Sequence, residues 1–542
     1  MLFTDVLLLL SVAVFCAIWF RPAQENRDKI LLVVPIFTLI VGAISIFDMR
    51  PQAWVGVGVA IIMLVTMIVR NKRGNRHLTK TPLISGLLFL ALGVVTYIPF
   101  HWFPITDLPA PTGQYSVGTQ DFGLTDDSRK GVLGAPDGDP RKLLVRVWYP
   151  AETTEGFSLK PYISKAEALS LNAITLGGLP FSNHMVHGKT NSYEGALIVE
   201  GASNLPVVYF SHGYTSFAGQ NTVLMEELAS RGYLVYSVQH SLDSIDTILP
   251  NGDVIPTYPK LIEELMEAYP EGSTDSMTGE TLDVRRKATI EGFNFGVEKN
   301  IRVATASTSE WAFDRVFVQE ILSSGEVEDR LLDIVKAGDY THVGHSGMSF
   351  GGTTSGSVCL DDPNCAAFIN MDGSNHDGRL INASAGKPTM MFHSDWTIMF
   401  KQMTEDEDRD FSDYGFNDLS YETHEEAGLS DDVIRLRVKD VTHGGVSDFS
   451  LFIKGPIKNM TLGEIDGPRM MTIMNDFVVG FFDKYVRDSS ENPMDIAFEK
   501  HQGYVEKYDT SYVREWWMAK TDKEREELLK HKPIILEAFD SL

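Results

Sequence analysis

The sequence predicts a two-part protein: a four-helix transmembrane segment over residues 1–110, then a domain (111–542) built on a mostly parallel α/β sheet flanked by helices. Three observations carry this. Four apolar stretches follow one another before residue 110. From residue 141 onward, short apolar strands alternate with amphipathic helices, the rhythm of a wound parallel sheet. Charge divides at the same boundary: residues 1–111 hold nine Lys/Arg and five Asp/Glu, so the chain's net −26 leaves −30 for the remainder. An outer part this acidic does not suit nucleic acid as a partner, nor docking on anionic lipid through a basic patch.

The apolar stretches are Leu2–Phe20, Ile30–Phe47, Ala53–Val69 and Pro82–Trp102. Each approaches the ~20 residues that cross a bilayer as a helix. The first lacks a basic leading region and carries Asp5, unlike a signal peptide. The first loop holds Arg21, Arg27 and Lys29, the second only Arg50, and the third Arg70, Lys72, Arg73, Arg76 and Lys80. Basic loops stay cytoplasmic, so the fourth helix leads outward and the following domain is expected on the extracytoplasmic side of the cell membrane. Tyr97, Phe100 and Trp102 suit an interfacial aromatic belt at that exit.

In the outer domain, Leu143–Tyr149 reads as a strand ended by Pro150, and Leu205–Phe210 as a buried strand running into Ser211-His212-Gly213-Tyr214. A helix at Asn221–Ser230 and a strand at Tyr233–Val238 follow. Residues 241–303 then break the rhythm. They are polar, with one helical patch at Leu261–Ala268, and a span this long is expected to be a cap over the site. The pattern resumes with helix Ser309–Ser323 and the strands Tyr340–Val343, Ala366–Met371, Pro388–His393 and Val433–Val438. Helix Met470–Val486 closes the sheet, and a helical tail packs back on the domain.

The chemistry centres on Gly347-Met348-Ser349-Phe350-Gly351-Gly352, between a strand and a small-residue helical stretch. In G-x-S-x-G the serine sits on a sharp turn that only flanking glycines allow to pack, at a helix N-terminus favouring negative charge. Ser349 is therefore the candidate nucleophile of an α/β-hydrolase fold. A serine hydroxyl needs a histidine base oriented by a carboxylate, in the chain order Ser, Asp, His. Of 14 histidines, His443 follows the last strand, beside Gly444 and Gly445. The acid is Asp372 or Asp395, each after a suitable strand, and pattern alone slightly favours Asp395. Backbone N–H groups of Phe350 and Tyr214 are the expected oxyanion donors, while His212 is expected to order its turn. Cys359 and Cys365 bracket Asp-Asp-Pro-Asn and can close a small disulfide loop, the alternative being two unpaired thiols at a helix end. Two cysteines without matching histidines make a poor zinc site. A rival metal set of His376, Asp377, His393 and Asp395 lacks ligand spacing, as does His424-Glu425. No metal or organic cofactor is expected.

Several motifs in order resemble the platelet-activating-factor acetylhydrolase family and its bacterial dienelactone-hydrolase-like relatives. These are Gly113–Thr119, Arg146–Ala151, Tyr209–Gly213, Gly347–Gly352 and Val441–Phe449. The resemblance implies Ser349 as nucleophile and His443 as base, and it moves the acid to Asp372, after Phe368-Ile369-Asn370-Met371, with Asp395 as fallback. It also implies a small-molecule or lipid ester as substrate, such as a short-acyl or oxidised phospholipid, with small soluble esters and polyesters left open and a non-catalytic membrane sensor or partner-binding protein as the rival reading. A thiol hydrolase is excluded by serine at the elbow. Met348 departs from the family's elbow histidine. The insertion differs in length and composition, and the membrane segment is foreign to the soluble members. Oligomeric state is left open.

Overall fold

The computed structural model describes residues 1–542 except 22–24, 73–80, 176–177, 268–274, 382–385, 399–432, 491–492 and 508–510. Arg73, Arg76 and Lys80 of the third loop, Ala268 of the helical patch and His424-Glu425 thus lie outside the described residues. The chain divides into two compact units.

The first comprises Met1–Asp107, Pro161–Lys189 and Leu451–Asn459. Its helices are α1 (Phe3–Trp19), α2 (Glu25–Phe47), α3 (Ala53–Lys72) and α4 (Thr81–Trp102). Among the described residues three stretches, Asn26–Phe47, Ala53–Lys72 and Leu83–Trp102, are long and apolar enough to cross a membrane, and Phe3–Trp19 is a shorter apolar helix. One face of each helix packs inward, where Val12, Phe15, Trp19, Met63 and Phe89 form a core. Val33, Ile40, Ile61, Val65, Leu87 and Val94 stay exposed, a pattern that water would penalise and lipid would not. Asp5 and Arg50, both fully buried, pair at 3.1 Å. Arg50 also donates to the Phe103 carbonyl (3.2 Å) and lies over the Phe100 ring. One guanidinium thereby fastens the start of α1 and the end of α4 beside the α2–α3 turn. The two later segments of this unit join through ring contacts and hydrogen bonds. Tyr162 stacks on Phe452, Phe181 on Phe103, and His187 donates to the Asp48 carbonyl at 2.8 Å.

The second unit comprises Leu108–Lys160, Thr190–Ser450 and Met460–Leu542. The strands of its main sheet, in chain order, are β1 (Ser116–Lys130), β2 (Pro140–Ala151), β3 (Leu159–Pro161), β4 (Lys189–Glu194), β5 (Leu205–Ser211) and β6 (Leu234–Gln239). They continue with β7 (Gly338–Met348), β8 (Cys365–Met371), β9 (Thr389–His393), β10 (Val433–Val438) and β11 (Val505–Lys507). Among the described residues they form one sheet of order β11-β10-β9-β8-β7-β5-β6-β2-β1-β4-β3. The run from β6 through β5, β7, β8 and β9 to β10 is parallel. β1, β2 and β11 add antiparallel pairings at the flanks. Strand order reverses direction between β5 and β7, the switch point outside whose carboxyl ends a wound sheet opens a crevice.

Period-two burial explains the core. Leu143, Val145, Val147 and Tyr149 point to one face with Val207, Tyr209, Leu234 and Tyr236, under Val318 and Leu322 of helix α5 (Ala306–Ser324). Helix α6 (Phe350–Asp361) follows the elbow, and α7 (Gly467–Tyr485) buries Phe477, Phe481 and Phe482, each contributing about 1.5–3 kcal/mol by removal from water.

Four features depart from the sequence reading. β2 runs through Pro150 because its pairing with β6 ends at Trp148, so the proline's missing N–H falls where the strand has one ladder partner. β7 is longer than Tyr340–Val343, reaching the elbow itself. β1 went unread because its buried positions include glycine and threonine. The 241–303 span also holds a 17-residue helix, Leu282–Glu298. Its buried positions are Arg285, Arg286, Ile290 and Gly296, a face too polar to show as an apolar stripe. The tail folds back as expected: Ile534 N–H donates to Asn294 at 2.7 Å, and Phe539 packs with Ala312 and Val358.

Candidate active site

Ser349 stands between β7 and α6 with φ 56° and ψ −122°. A non-glycine residue in that region carries strain of about 1–3 kcal/mol and persists only where its surroundings enforce it. They do so here at both glycines of the motif. A side chain on Gly347 would meet the Gly351 backbone, and one on Gly351 would meet the Ser211 carbonyl at the end of β5. The Ser349 N–H donates to the Met371 carbonyl at 2.7 Å, tying the elbow to the end of β8. This close packing is what the G-x-S-x-G pattern encodes.

Three loops at the carboxyl edge bring the candidate residues together. His443, on a short 3-10 turn after β10, places Nε2 2.9 Å from Ser349 Oγ. Its Nδ1 lies 2.7 Å from Asp372 Oδ2. The Asp372 side chain is 2% exposed and that of His443 51%, so the carboxylate is enclosed while the imidazole faces the crevice. The other Asp372 oxygen accepts the Ser394 N–H (2.7 Å) and the Trp396 indole N–H (3.0 Å). Burial alone would raise the Asp372 carboxyl, but the hydrogen bond and charge of His443, with the Ser394 N–H, hold it at about 2. Burial also works against protonated His443. The hydrogen bond and charge of Asp372 outweigh it, and the imidazole pKa lies above its ordinary value.

Asp395 has a different engagement. It accepts the Asp440 N–H at 3.1 Å and a hydrogen bond from Thr397, and its own N–H donates to the Val441 carbonyl at 2.8 Å. It braces the loop that carries His443. Asp372, not Asp395, is within reach of the imidazole.

Tyr214 follows β5 and Phe350 opens α6. Among the described residues neither backbone N–H has a protein acceptor, and both belong to residues beside the crevice. Phe350 is the first residue of the helix, where N–H groups are free by construction. His212 is fully buried. Its Nδ1 donates to the Gly213 carbonyl (2.7 Å) and its Nε2 accepts the His240 N–H (3.1 Å). Burial, with the neighbouring His240, lowers its pKa to about 3, so it orders the turn as a neutral ring.

Cys359, near the end of α6, and Cys365, at the start of β8, are disulfide-bonded with Cα atoms 5.4 Å apart. His345 lies against them, but the sulfurs bind each other. His345 is held between Arg315 (2.6 Å) and Asp362 (3.2 Å), so this group offers no free ligand atoms. Among the described residues His376, Asp377, His393 and Asp395 do not converge on a metal-sized point. Asp377 is taken up by Arg379, and His376 rests on the Phe350 ring.

A second constellation lies beneath the first, unread in the sequence. Ser211 Oγ is 2.9 Å from His240 Nε2, and His240 Nδ1 is 2.8 Å from Asp314 Oδ2. All three side chains are fully buried. Arg315 donates to Ser211 Oγ at 2.9 Å, and Arg141 to both Asp314 oxygens at 3.0 and 2.6 Å. Residues that support the open site were missed too: Ser394, Trp396, Asp243 and Trp311 sit in no motif, and their roles depend on contacts distant in sequence.

Residues 101–248 match the family model for platelet-activating factor acetylhydrolase, isoform II. The matched span contains β1, β2, β5, β6 and Tyr214 and ends upstream of Ser349. A comparison with curated proteins finds no match. A ferulic acid esterase from Streptomyces cinnamoneus is similar in structure, with TM-score 0.48 and 21% identity over 72% of this chain and 98% of its own.

Proposed function

We propose that this platelet-activating-factor-acetylhydrolase-like α/β hydrolase, a carboxylic ester hydrolase, works through Ser349, His443 and Asp372. The supporting observation is the unbroken hydrogen-bonded path from Ser349 Oγ through the imidazole to a buried carboxylate, on three loops at one sheet edge. Ser349 attacks the ester carbonyl as His443 Nε2 takes its proton. Asp372 fixes the tautomer that leaves Nε2 free and stabilises the imidazolium that forms. The oxyanion lies against the N–H groups of Phe350 and Tyr214, placed where charge develops. His443 then returns the proton to the leaving alcohol. Water, activated by the same imidazole, releases the acid from the acyl-enzyme.

The substrates we propose are short-acyl or oxidised phospholipids and other short-chain esters, hydrolysed without a metal or organic cofactor. The N-terminal helices anchor the enzyme in the cell membrane. The asymmetry of loop charge supports a catalytic unit on the extracytoplasmic side. In detergent-solubilised protein, Ser349→Ala is expected to abolish p-nitrophenyl acetate and butyrate hydrolysis and fluorophosphonate labelling while the unfolding curve stays in place. Retained turnover in a folded S349A protein would end this reading. A panel from acetyl to palmitoyl esters, with and without phosphocholine, measures the acyl and headgroup preference.

A further inference from the structure

One buried carboxylate outside the catalytic set gathers donors from the Tyr214 loop, from Arg302 and from Trp311 beside the proposed oxyanion hole. Asp243 is fully buried and lies just after β6, at the start of the 241–303 span. Its Oδ1 accepts Arg302 Nε at 2.7 Å and the Tyr214 hydroxyl at 3.3 Å. Its Oδ2 accepts the Trp311 indole N–H at 3.0 Å. Its main-chain carbonyl accepts the Thr215 N–H at 2.9 Å, and two residues on the Ile245 N–H donates to the Ser216 carbonyl at 3.0 Å. The start of the insertion is thus laced to the loop that presents the Tyr214 N–H.

The other contacts link this hub to the second donor. Trp311 packs edge-on against Phe350 with centroids 4.8 Å apart, and lies parallel to Tyr214 at 6.0 Å. Tyr214 and Phe350 themselves meet at 5.2 Å. The residues supplying both N–H groups therefore touch the same indole, and Asp243 fixes that indole by its only polar atom. Arg302, at the far end of the insertion, pairs with Asp243, lies over the Tyr258 ring and donates to the Leu133 carbonyl. A single guanidinium neutralises the carboxylate and closes the insertion on the oxyanion loop.

We propose that Asp243 is a positioning residue for the oxyanion hole, and that its pairing with Arg302 makes the hole's geometry depend on the docked insertion. This rests on the Ser349 reading above. A hub that aligns N–H donors for a charge present only in the transition state acts on kcat and leaves ground-state binding unchanged.

The experiment compares the full-length, detergent-solubilised wild type with Asp243→Asn, Arg302→Met and Tyr214→Phe, using p-nitrophenyl butyrate and a boronic acid transition-state analogue. Asp243→Asn is expected to lower kcat by about 10²–10³, the scale of losing one oxyanion donor, with KM within about twofold. Arg302→Met is expected to lower kcat less, and Tyr214→Phe, which removes the hydroxyl's tethers to Asp243 and Ser307 but leaves the backbone ties of the loop, by about tenfold or less. Boronate affinity should fall in step with kcat/KM across the series. Should Asp243→Asn fail to fold, Tyr214→Phe and Arg302→Met decide, since they leave the carboxylate in place. Unchanged kcat in the folded variants overturns the proposal, as does a loss shared by KM and thermal stability with boronate affinity unmoved. Failure of the underlying reading is distinct, because it shows as turnover in Ser349→Ala.

Discussion

Two Ser–His–Asp chains run through the same sheet with nearly the same spacings. At the crevice the contacts are 2.9 and 2.7 Å; in the interior, through Ser211, His240 and Asp314, they are 2.9 and 2.8 Å. Their connectivity is identical, so connectivity is not what marks the crevice set as the proposed reacting site. Access differs first: His443 is half exposed, whereas every member of the inner set is buried. Charge differs next. Asp372 receives one imidazole and two neutral N–H donors, so its influence falls on His443. Asp314 is claimed by Arg141 and Arg129, and its pull on His240 does not overcome burial, leaving that ring at about 4. Backbone differs last. Ser349 is held in a strained turn at a helix start, while Ser211 ends a regular strand and has its oxygen occupied by Arg315.

That contrast can be broken from either side. The largest effect is expected from Ser349→Ala or His443→Ala, each lowering kcat about 10⁶-fold. Ser211→Ala should leave fluorophosphonate labelling of Ser349 intact, as a labelling gel would show. Asp372→Asn should cost about 10⁴-fold in kcat. It should also shift the acid limb of the kcat/KM profile. Asp372 raises the His443 pKa, so in the wild type the neutral base accumulates only above the ordinary histidine value of ~6.5. Without that carboxylate the limb should move to lower pH.

The inner set should answer in stability instead. Asp314→Asn strands the buried Arg141 and is expected to cost about 3–5 kcal/mol in denaturant unfolding, with turnover in the cold largely kept. The mildest test is spectroscopic. Histidine NMR titration should show His443 changing protonation above pH ~6.5 while His240 stays neutral down to about 4. Two rings titrating together would erase the distinction.

The open site was more legible than the inner one for a physical reason. The elbow's demands are local, since Gly347 and Gly351 sit where any side chain would strike backbone, and this leaves a five-residue signature. The chain order Ser, Asp, His is likewise readable once strands are placed. Pattern alone leans slightly to Asp395, the residue that does not reach His443, because both aspartates follow adjacent parallel strands and nothing local separates them. What separates them is the loop after β9, which spends Ser394 and Trp396 as donors to Asp372 while Asp395 braces the His443 loop. No pattern announces the inner set: its members are 29 and 74 residues apart and meet only by sheet register and the lie of α5. The helix Leu282–Glu298 was missed because arginines take the buried positions an apolar stripe would fill.

The Cys359–Cys365 bond closes α6 and opens β8, at the opposite end of that helix–strand pair from Ser349 and Asp372. The polypeptide leading from Ser349 to Asp372 is therefore a bracket whose bend is welded shut. Such welds form and endure outside the reducing cytoplasm. On the extracytoplasmic side proposed above, export does more than deliver the protein: oxidation on arrival is the finishing step that stiffens the span between Ser349 and Asp372.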